Sequence, residues 1–436
     1  MIGTTKPKIL FVLRNSWNNN ISIGNTLSNV FSGWNGDIAT LYCRNEKINN
    51  TICKKYFRIT ERDIVKNFTH PSKIGNNIIV GDNNIIASPD EEKIISKENN
   101  FYNKARKHRF TILLWFRELI WVIGLWKNEK LNNFIDSFNP DIVFIPLYDT
   151  FYTYKIADYV IKRTNARILT YTGDDLYDFG KEHYSPLYYI DMLFRRYYIK
   201  NFINRASLRV CLTKEQADTY QALFKKFFFV MKKGVVCDVI PSTKDHKYPL
   251  QLVYTGNISL GRDETLIEII KQLDVINRDK LLAQLNIYSG NEPTKHFLSI
   301  TNTSKSAIFH GNIPASQVVS VQKNADILLH VESFVKMYKD RVKCSLSTKI
   351  VDYLACKKCI LAVGPSGISS IEYLRRNDAA YVIDNLHELY DRMFALINNS
   401  LLIKRVEEKA WNFVSKEHNI KRTQKEMYDQ ILSLNR

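Results

Sequence analysis

Lys349 and Asp352 stand one helical turn apart in SLSTKIVDYLACKKCILAVGP (345–365), a stretch otherwise made mostly of small, hydroxylic and apolar residues. Ser345, Ser347 and Thr348 are favourable caps, so the spacing predicts a helix that starts near Thr348. The amides of its first turn would point at an anion. Asp352, one turn inside, is placed to accept two hydrogen bonds from a vicinal diol, and Lys349 shares its face while Ile350, Leu354 and Ala355 turn to the core. The same spacing also fits an i,i+3 salt bridge on a surface helix, worth about 0.3 to 0.5 kcal/mol. A second stretch, YTGNISLGRDETL (254–266), holds Gly256, Asn257 and Arg262 between an apolar run and a helical pattern. Amides of such a loop can receive a phosphate, with Arg262 supplying a forked cation. The plainer alternative is a glycine-rich turn whose arginine faces solvent.

These stretches need a scaffold that brings strand ends together. Short continuous apolar runs mark strands covered on both faces. They occur at 8–14, 36–43, 140–147, 166–173, 207–213 and 227–234, with helical patterns between them. A segment with two prolines and mixed charge, CDVIPSTKDHKYP (237–249), reads as a linker. The pattern then resumes at 250–258, 283–290, 306–313, 325–332, 359–365 and 379–384, with helices over 263–277, 314–325 and 419–434. Strand-helix alternation at this spacing implies parallel strands with right-handed crossovers. The expected fold is α/β, two Rossmann-like, doubly wound parallel-sheet domains, 1–240 and 250–414, with a C-terminal helix in 415–436 returning to the first. In such sheets ligands bind beyond the carboxyl ends of the strands.

Composition narrows the function. The chain has 436 residues, 45% apolar, 24% charged and 12% aromatic, with a formal charge of +18. That excess calls for an anionic partner: phosphorylated ligands, an acidic membrane surface or nucleic acid. Against nucleic acid, there is no recognition helix, zinc finger or RNA-binding aromatic signature. Neither G-x-G-x-x-G nor G-x-x-x-x-G-K-[ST] occurs, which argues against dinucleotide oxidoreductases and P-loop enzymes. Seven cysteines, an odd and scattered set, do not form a disulfide framework, and Cys356-x-x-Cys359 has no second pair to complete a zinc site. MIGTTKPKILFVLRNSW reads as a basic lead into a strand rather than a signal peptide, so a cytoplasmic location is expected.

One segment raises the membrane question. KARKHRFTILLWFRELIWVIGLWKNEK (104–130) is interrupted by Arg117 and Glu118 and is too short to span a bilayer. It reads either as a core helix with one polar stripe or as a helix lying in the membrane interface. Basic clusters also occur at 195–200 and 224–233.

The two chemistry-bearing stretches resemble the donor-binding domain of GT-B glycosyltransferases, in particular the large retaining family 4 with its bacterial capsule and lipopolysaccharide relatives. YTGNISLGRDETL is similar to that family's first-strand turn, and Arg262 falls on the basic position that holds the nucleotide diphosphate. STKIVDYLACKKCILAVGP (347–365) resembles the family's S-K-x-x-E-Y-L-A-x-G-K-P-V-L-A segment, with Asp352 where a carboxylate grips the ribose. The resemblance covers 250–400 and, more loosely, the first domain. It implies a hexosyltransferase with two domains facing a cleft, using a UDP- or GDP-sugar, retaining configuration, and needing neither cofactor nor metal. Gly256, Asn257, Arg262, Ser347, Thr348, Lys349 and Asp352 would bind the donor. Gly24 and Asn25, in SIGNTLSN (22–29), would approach it from the first domain, and Asp174 and Asp175 would touch the acceptor or handle its proton. The acceptor implied is a glycan or a lipid-linked oligosaccharide, with peripheral contact to the inner membrane face. The family's first glutamate position is Cys344 here, so Glu332 is the substitute carboxylate, and the histidine usual beside Asp174 is missing. A sugar-nucleotide epimerase of the same fold and a non-catalytic basic scaffold remain alternatives.

Overall fold

Runs such as ILFVL and IVFIP can pair without loss only in a sheet covered on both faces. A computed structural model describes residues 6–19, 22–80, 111–173, 176–177, 186–237, 246–342 and 349–434. It separates two compact units, Met1–Met231 with Gln424–Arg436, and Lys232–Thr423.

Unit 1 runs β1 (Ile9–Leu13), α1 (Ser22–Phe31), β2 (Ile38–Tyr42), β3 (Lys55–Arg58), α2 (Glu61–Lys66), β4 (Asn76–Ile79), α3 (Thr111–Ile123) and α4 (Glu129–Phe138). It continues through β5 (Ile142–Pro146), α5 (Phe151–Thr164), β6 (Arg167–Thr172), α6 (Pro186–Arg205), β7 (Leu208–Cys211), α7 (Lys214–Phe224) and β8 (Phe229–Val230). The strand order is β4-β3-β2-β1-β5-β6-β7-β8. Every residue of β1, β2 and β5 is buried. Phe11 of β1 packs on Trp17, Phe31 and Phe144, with ring centroids 4.7 to 5.1 Å away. The sequence reading does not anticipate β3 or β4. β4 (NNII) is the antiparallel edge strand and mostly exposed, where two asparagines are tolerated.

Unit 2 runs β9 (Leu250–Thr255), α8 (Arg262–Ile276), β10 (Ala283–Tyr288), α9 (Lys295–Thr303), β11 (Ala307–Gly311), α10 (Ala315–Asn324), β12 (Ile327–Val331) and α11 (Lys336–Val342). Then come α12 (Lys349–Ala355), β13 (Cys359–Val363), α13 (Ser369–Arg376), β14 (Tyr381–Ile383), α14 (Leu389–Ile397) and α15 (Ser400–Glu417). Its six strands are parallel in the order β11-β10-β9-β12-β13-β14. A last helix, α16 (Ile420–Ser433), begins in unit 2 and ends in unit 1. There Gln424 donates to the Asn29 carbonyl and Tyr428 to the Val30 carbonyl, at 2.8 and 2.7 Å, and Met427 and Ile431 are buried.

The amino end of the unit 2 sheet is tied by a charged cluster. His246 Nδ1 lies 3.1 Å from Asp326 Oδ1 and Nε2 lies 3.5 Å from Glu407 Oε1, while Asp326 Oδ2 accepts from the Gln251 amide at 2.7 Å. Hydrogen bonding to Asp326, then to Glu407, raises the His246 pKa to about 9. Because this lies above the ordinary value of about 6.5 for an unfolded chain, the stabilisation is complete below that value and lost as pH rises through the folded pKa. Replacing His246 by Asn is therefore expected to lower Tm clearly near pH 6 and much less above the folded pKa. An equal loss at both pH values would show that the imidazolium does not clamp the cluster.

Candidate functional site

Each sheet reverses its strand order at one place, and side chains from the two flanking strand ends meet there. In unit 2 the reversal lies between β9 and β12. The loop after β9 turns through Leu260 and Gly261, both at positive φ, of 61° and 72°. A Cβ on Gly261 would lie 2.4 Å from Ser333 Oγ and 2.5 Å from the Tyr338 ring, so only glycine fits. Asn257 Oδ1 accepts from the Ser259 amide at 2.7 Å, which braces the turn. Arg262 then opens α8.

Across the reversal, Glu332 follows β12 and is 3% exposed. Arg262 donates to its Oε2 through Nε at 3.1 Å and Nη2 at 2.8 Å, and to the Val331 carbonyl through Nε at 3.2 Å. Nη1 takes none of these contacts. Glu332 Oε1 accepts from Ser370 Oγ at 3.2 Å, and the Glu332 carbonyl accepts from Thr265 Oγ1 at 3.1 Å. Burial pushes the Glu332 carboxyl up, while Arg262 and Ser370 pull it down. A Cβ on Gly364, after β13, would lie 2.9 Å from Glu332 Cβ, so this glycine lets the strand ends close around the carboxylate.

His330 was not among the sequence candidates. It sits two residues before Glu332 and so on the same strand face, and its Nε2 lies 3.6 Å from Glu332 Oε1. Burial, then the charges of Arg262 and Lys349, push it down to about 3, so the imidazole is neutral. The alternation H-x-E at a strand end is the signal that would have found it.

α12 begins at Lys349. Its Tyr353 hydroxyl accepts from the Thr255 amide at 3.0 Å and lies 3.2 Å from the Thr255 carbonyl, locking the helix to the end of β9. Lys349 is exposed by area, yet crowding by protein and the charge of Arg262 lower its ammonium pKa. Asp352 does not form the i,i+3 pair with Lys349. Lys233 Nζ instead donates to Asp352 Oδ1 at 2.6 Å, and the carboxylate stays 41% exposed. Thus Arg262, His330, Glu332 and Lys349 share one electrostatic environment, with the Asp352–Lys233 pair on the same helix as Lys349.

Ser347, Thr348, Asp174, Asp175 and the basic cluster at 104–109 lie outside the described residues. Gly24 and Asn25 fall in the first turn of α1 rather than in a loop; a Cβ on Gly24 would lie 2.0 Å from the Asn18 carbonyl oxygen. In unit 1 the order reverses between β1 and β5, and there Arg14 Nη1 meets Asp149 Oδ1 at 2.7 Å. Burial pushes the Asp149 carboxyl up, but Arg14, Arg195 and Arg117 together hold it below the usual range. The sequence reading missed this pair because its members lie 135 positions apart. Cys356 and Cys359 are buried and form no disulfide, and burial pushes the Cys356 thiol up to about 11. Among the described residues no cluster of three or more His, Cys, Asp or Glu could hold a metal ion.

Comparison with known proteins bears on the fold. No protein-family model and no curated protein matches the sequence. Among solved structures, sucrose-phosphate synthase from Thermosynechococcus elongatus superposes with a TM-score of 0.61 at 11% identity, covering 98% of this chain and 99% of that one. HepE of Anabaena, solved with UDP and glucose, gives 0.60 at 9% identity over 98% and 100%. The chain has the GT-B fold. TarM gives 0.50 at 13% identity over 66% of this chain and 54% of that one, so the chain spans about half the length of TarM.

Removing Arg262 strands a buried carboxylate, which typically costs about 3 to 5 kcal/mol. Arg262→Ala is therefore expected to lower stability by that order in urea unfolding, and adding Glu332→Gln should restore most of it. A single variant as stable as wild type would mean that the pair is not buried in solution.

Proposed function

We propose that the protein is a glycosyltransferase that moves a sugar from a nucleotide-sugar, a UDP- or GDP-sugar, to a glycan or lipid-linked oligosaccharide. The observation that carries this reading is a fixed arginine at the first residue of α8, at the strand-order reversal of the unit 2 sheet. Glu332 fixes the Arg262 fork through Nε and Nη2, which leaves Nη1 to meet a diphosphate. The ammonium of Lys349 adds to the same field.

As the bond between anomeric carbon and diphosphate oxygen breaks, negative charge grows on the leaving phosphates. Preorganised cations lower that barrier without reorganising. Arg262 and Lys349 perform this task here with no metal invoked. The exposed Asp352, with Lys233 on Oδ1, has Oδ2 to accept from the ribose diol. Neutral His330 and the carboxylate of Glu332 line the same strand end, where they orient the sugar. Asp174 and Asp175 are assigned to the acceptor, and retention of configuration rests on the resemblance to family 4. The supporting neighbour is HepE, which was solved holding UDP and glucose.

Thermal-shift titration with UDP, GDP, CMP and ADP tests the donor socket. One nucleotide at a hundred times its Kd should stabilise by about 2.7 kcal/mol, and Asp352→Asn should abolish that shift. Arg262→Lys keeps a charge beside Glu332 but loses the fork. Its turnover is expected to fall by a hundred- to a thousandfold, about 2.7 to 4 kcal/mol of barrier. Conversion of the nucleotide-sugar to its epimer in the absence of acceptor, with no net release of nucleotide, would overturn transfer in favour of epimerisation.

A further inference from the structure

Two neighbouring helices of unit 1 bury charged side chains beside their core residues and expose apolar ones. On α3 the charged residues face inward: Glu118 accepts from the amides of Phe151 and Tyr152 at 3.1 and 2.9 Å, capping α5, and Arg117 lies over the Tyr152 ring at 5.4 Å. Burial pushes the Glu118 carboxyl up to about 7 against the pull of Arg117 and those amides. The outward face of the same helix carries Phe116, Leu119, Val122 and Ile123, and Phe116 is 63% exposed. α6 does the same, with Met192, Ile199, Phe202 and Ile203 in the core. Asp191 and Arg195 form a buried i,i+4 pair at 2.7 Å, while Leu193 and Tyr197 face outward, 60% and 64% exposed. The helices adjoin through Trp115 and Phe194, whose rings lie 6.0 Å apart.

A water-facing helix gains nothing from this arrangement, because the hydrophobic effect would place the charges outside and the apolar residues inside. The face is large, aromatic and continuous across two helices, which marks an interaction surface. Exposed lysines lie close by in the chain: Lys200 one turn beyond Tyr197 on the same face of α6, and Lys127 and Lys130 just after α3, with Glu129 between them. A second copy would bring these lysines against their own kind, on a chain of net charge +18. An anionic bilayer accepts both the apolar side chains and the lysines. Among the described residues no helix is long and apolar enough to cross a membrane, so the contact lies in the interface plane.

We propose that the outward face of α3 and α6 docks unit 1 on an anionic lipid surface. The same helices carry Arg117 and Arg195, whose charges act on Asp149 at the strand-order reversal of unit 1. The membrane face therefore adjoins that reversal, where a lipid-linked acceptor would arrive. The docking surface stands on its own observations and does not depend on the donor assignment in unit 2.

The test is sedimentation of the full chain with vesicles of phosphatidylcholine alone or mixed with phosphatidylglycerol, at low and high salt. Binding is expected to the mixed vesicles and to weaken with salt. The double variant F116S/L193S changes exposed side chains, so Tm and any nucleotide-induced shift should stay as in wild type while vesicle affinity falls roughly tenfold or more. Lys200→Glu should weaken binding at low salt and matter little at high salt. No binding at low salt, or equal binding by the double variant, overturns the proposal. So does concentration-dependent dimerisation that the double variant abolishes, which would assign the face to a second copy.

Discussion

The Arg262–Glu332 pair is the constraint around which unit 2 is arranged. A buried carboxylate is tolerated only when a cation and hydrogen-bond donors reach it with little freedom. Here the cation comes from the helix after β9 and the carboxylate from the end of β12, strands that are neighbours because the order reverses between them. The remaining parts hold those two ends in place. Gly261 lets the β9 loop pass Ser333 and Tyr338, Gly364 lets β13 approach Glu332, and Tyr353 fastens α12 to Thr255. The result is an arginine whose fork is partly used, so that its position is set before any ligand arrives.

Much of this was legible in the residue pattern, because continuous apolar runs and their spacing constrain parallel strands strongly. The runs at 8–14, 140–147, 250–258 and 359–365 contain β1, β5, β9 and β13. Short strands without a continuous apolar run were not legible: β3 buries only Tyr56 and Phe57 between Lys55 and Arg58, and β4 owes its place to the antiparallel partner beside it. Arg262 could be singled out because its loop is glycine-rich and local. Its partner in the structure, Glu332, is 70 positions away, and no local pattern relates the two. The same limit hid Lys233, which claims Asp352 across 119 positions and displaces the i,i+3 pair that spacing suggested.

Arg117 and Glu118 show why a charge inside an apolar segment is ambiguous in sequence. Hydropathy treats it as an interruption, and the helix reads as a core element with a stripe or as an interfacial one. In the structure the helix buries Trp121 in the core and exposes Phe116, Leu119, Val122 and Ile123. Phe151 and Tyr152 open α5 with amides that lack intrahelical partners, and Glu118 satisfies them. That demand holds Arg117 and Glu118 on the inward side of α3 beside Trp121 and leaves Phe116, Leu119, Val122 and Ile123 outside.

The two units repeat one device with different burial. Each sheet reverses order once, and at each reversal an arginine meets an acid: Arg14 with Asp149 in unit 1, Arg262 with Glu332 in unit 2. In unit 2 the side chains are 16% and 4% exposed; in unit 1 they are 29% and 41% exposed. A buried pair resists exchange of partners, because leaving either ion alone in low dielectric is costly. A half-buried pair is held less tightly and separates more readily when another hydrogen-bonding group offers itself. The buried pair therefore holds one fixed geometry, whereas the half-buried pair leaves Asp149 able to exchange partners.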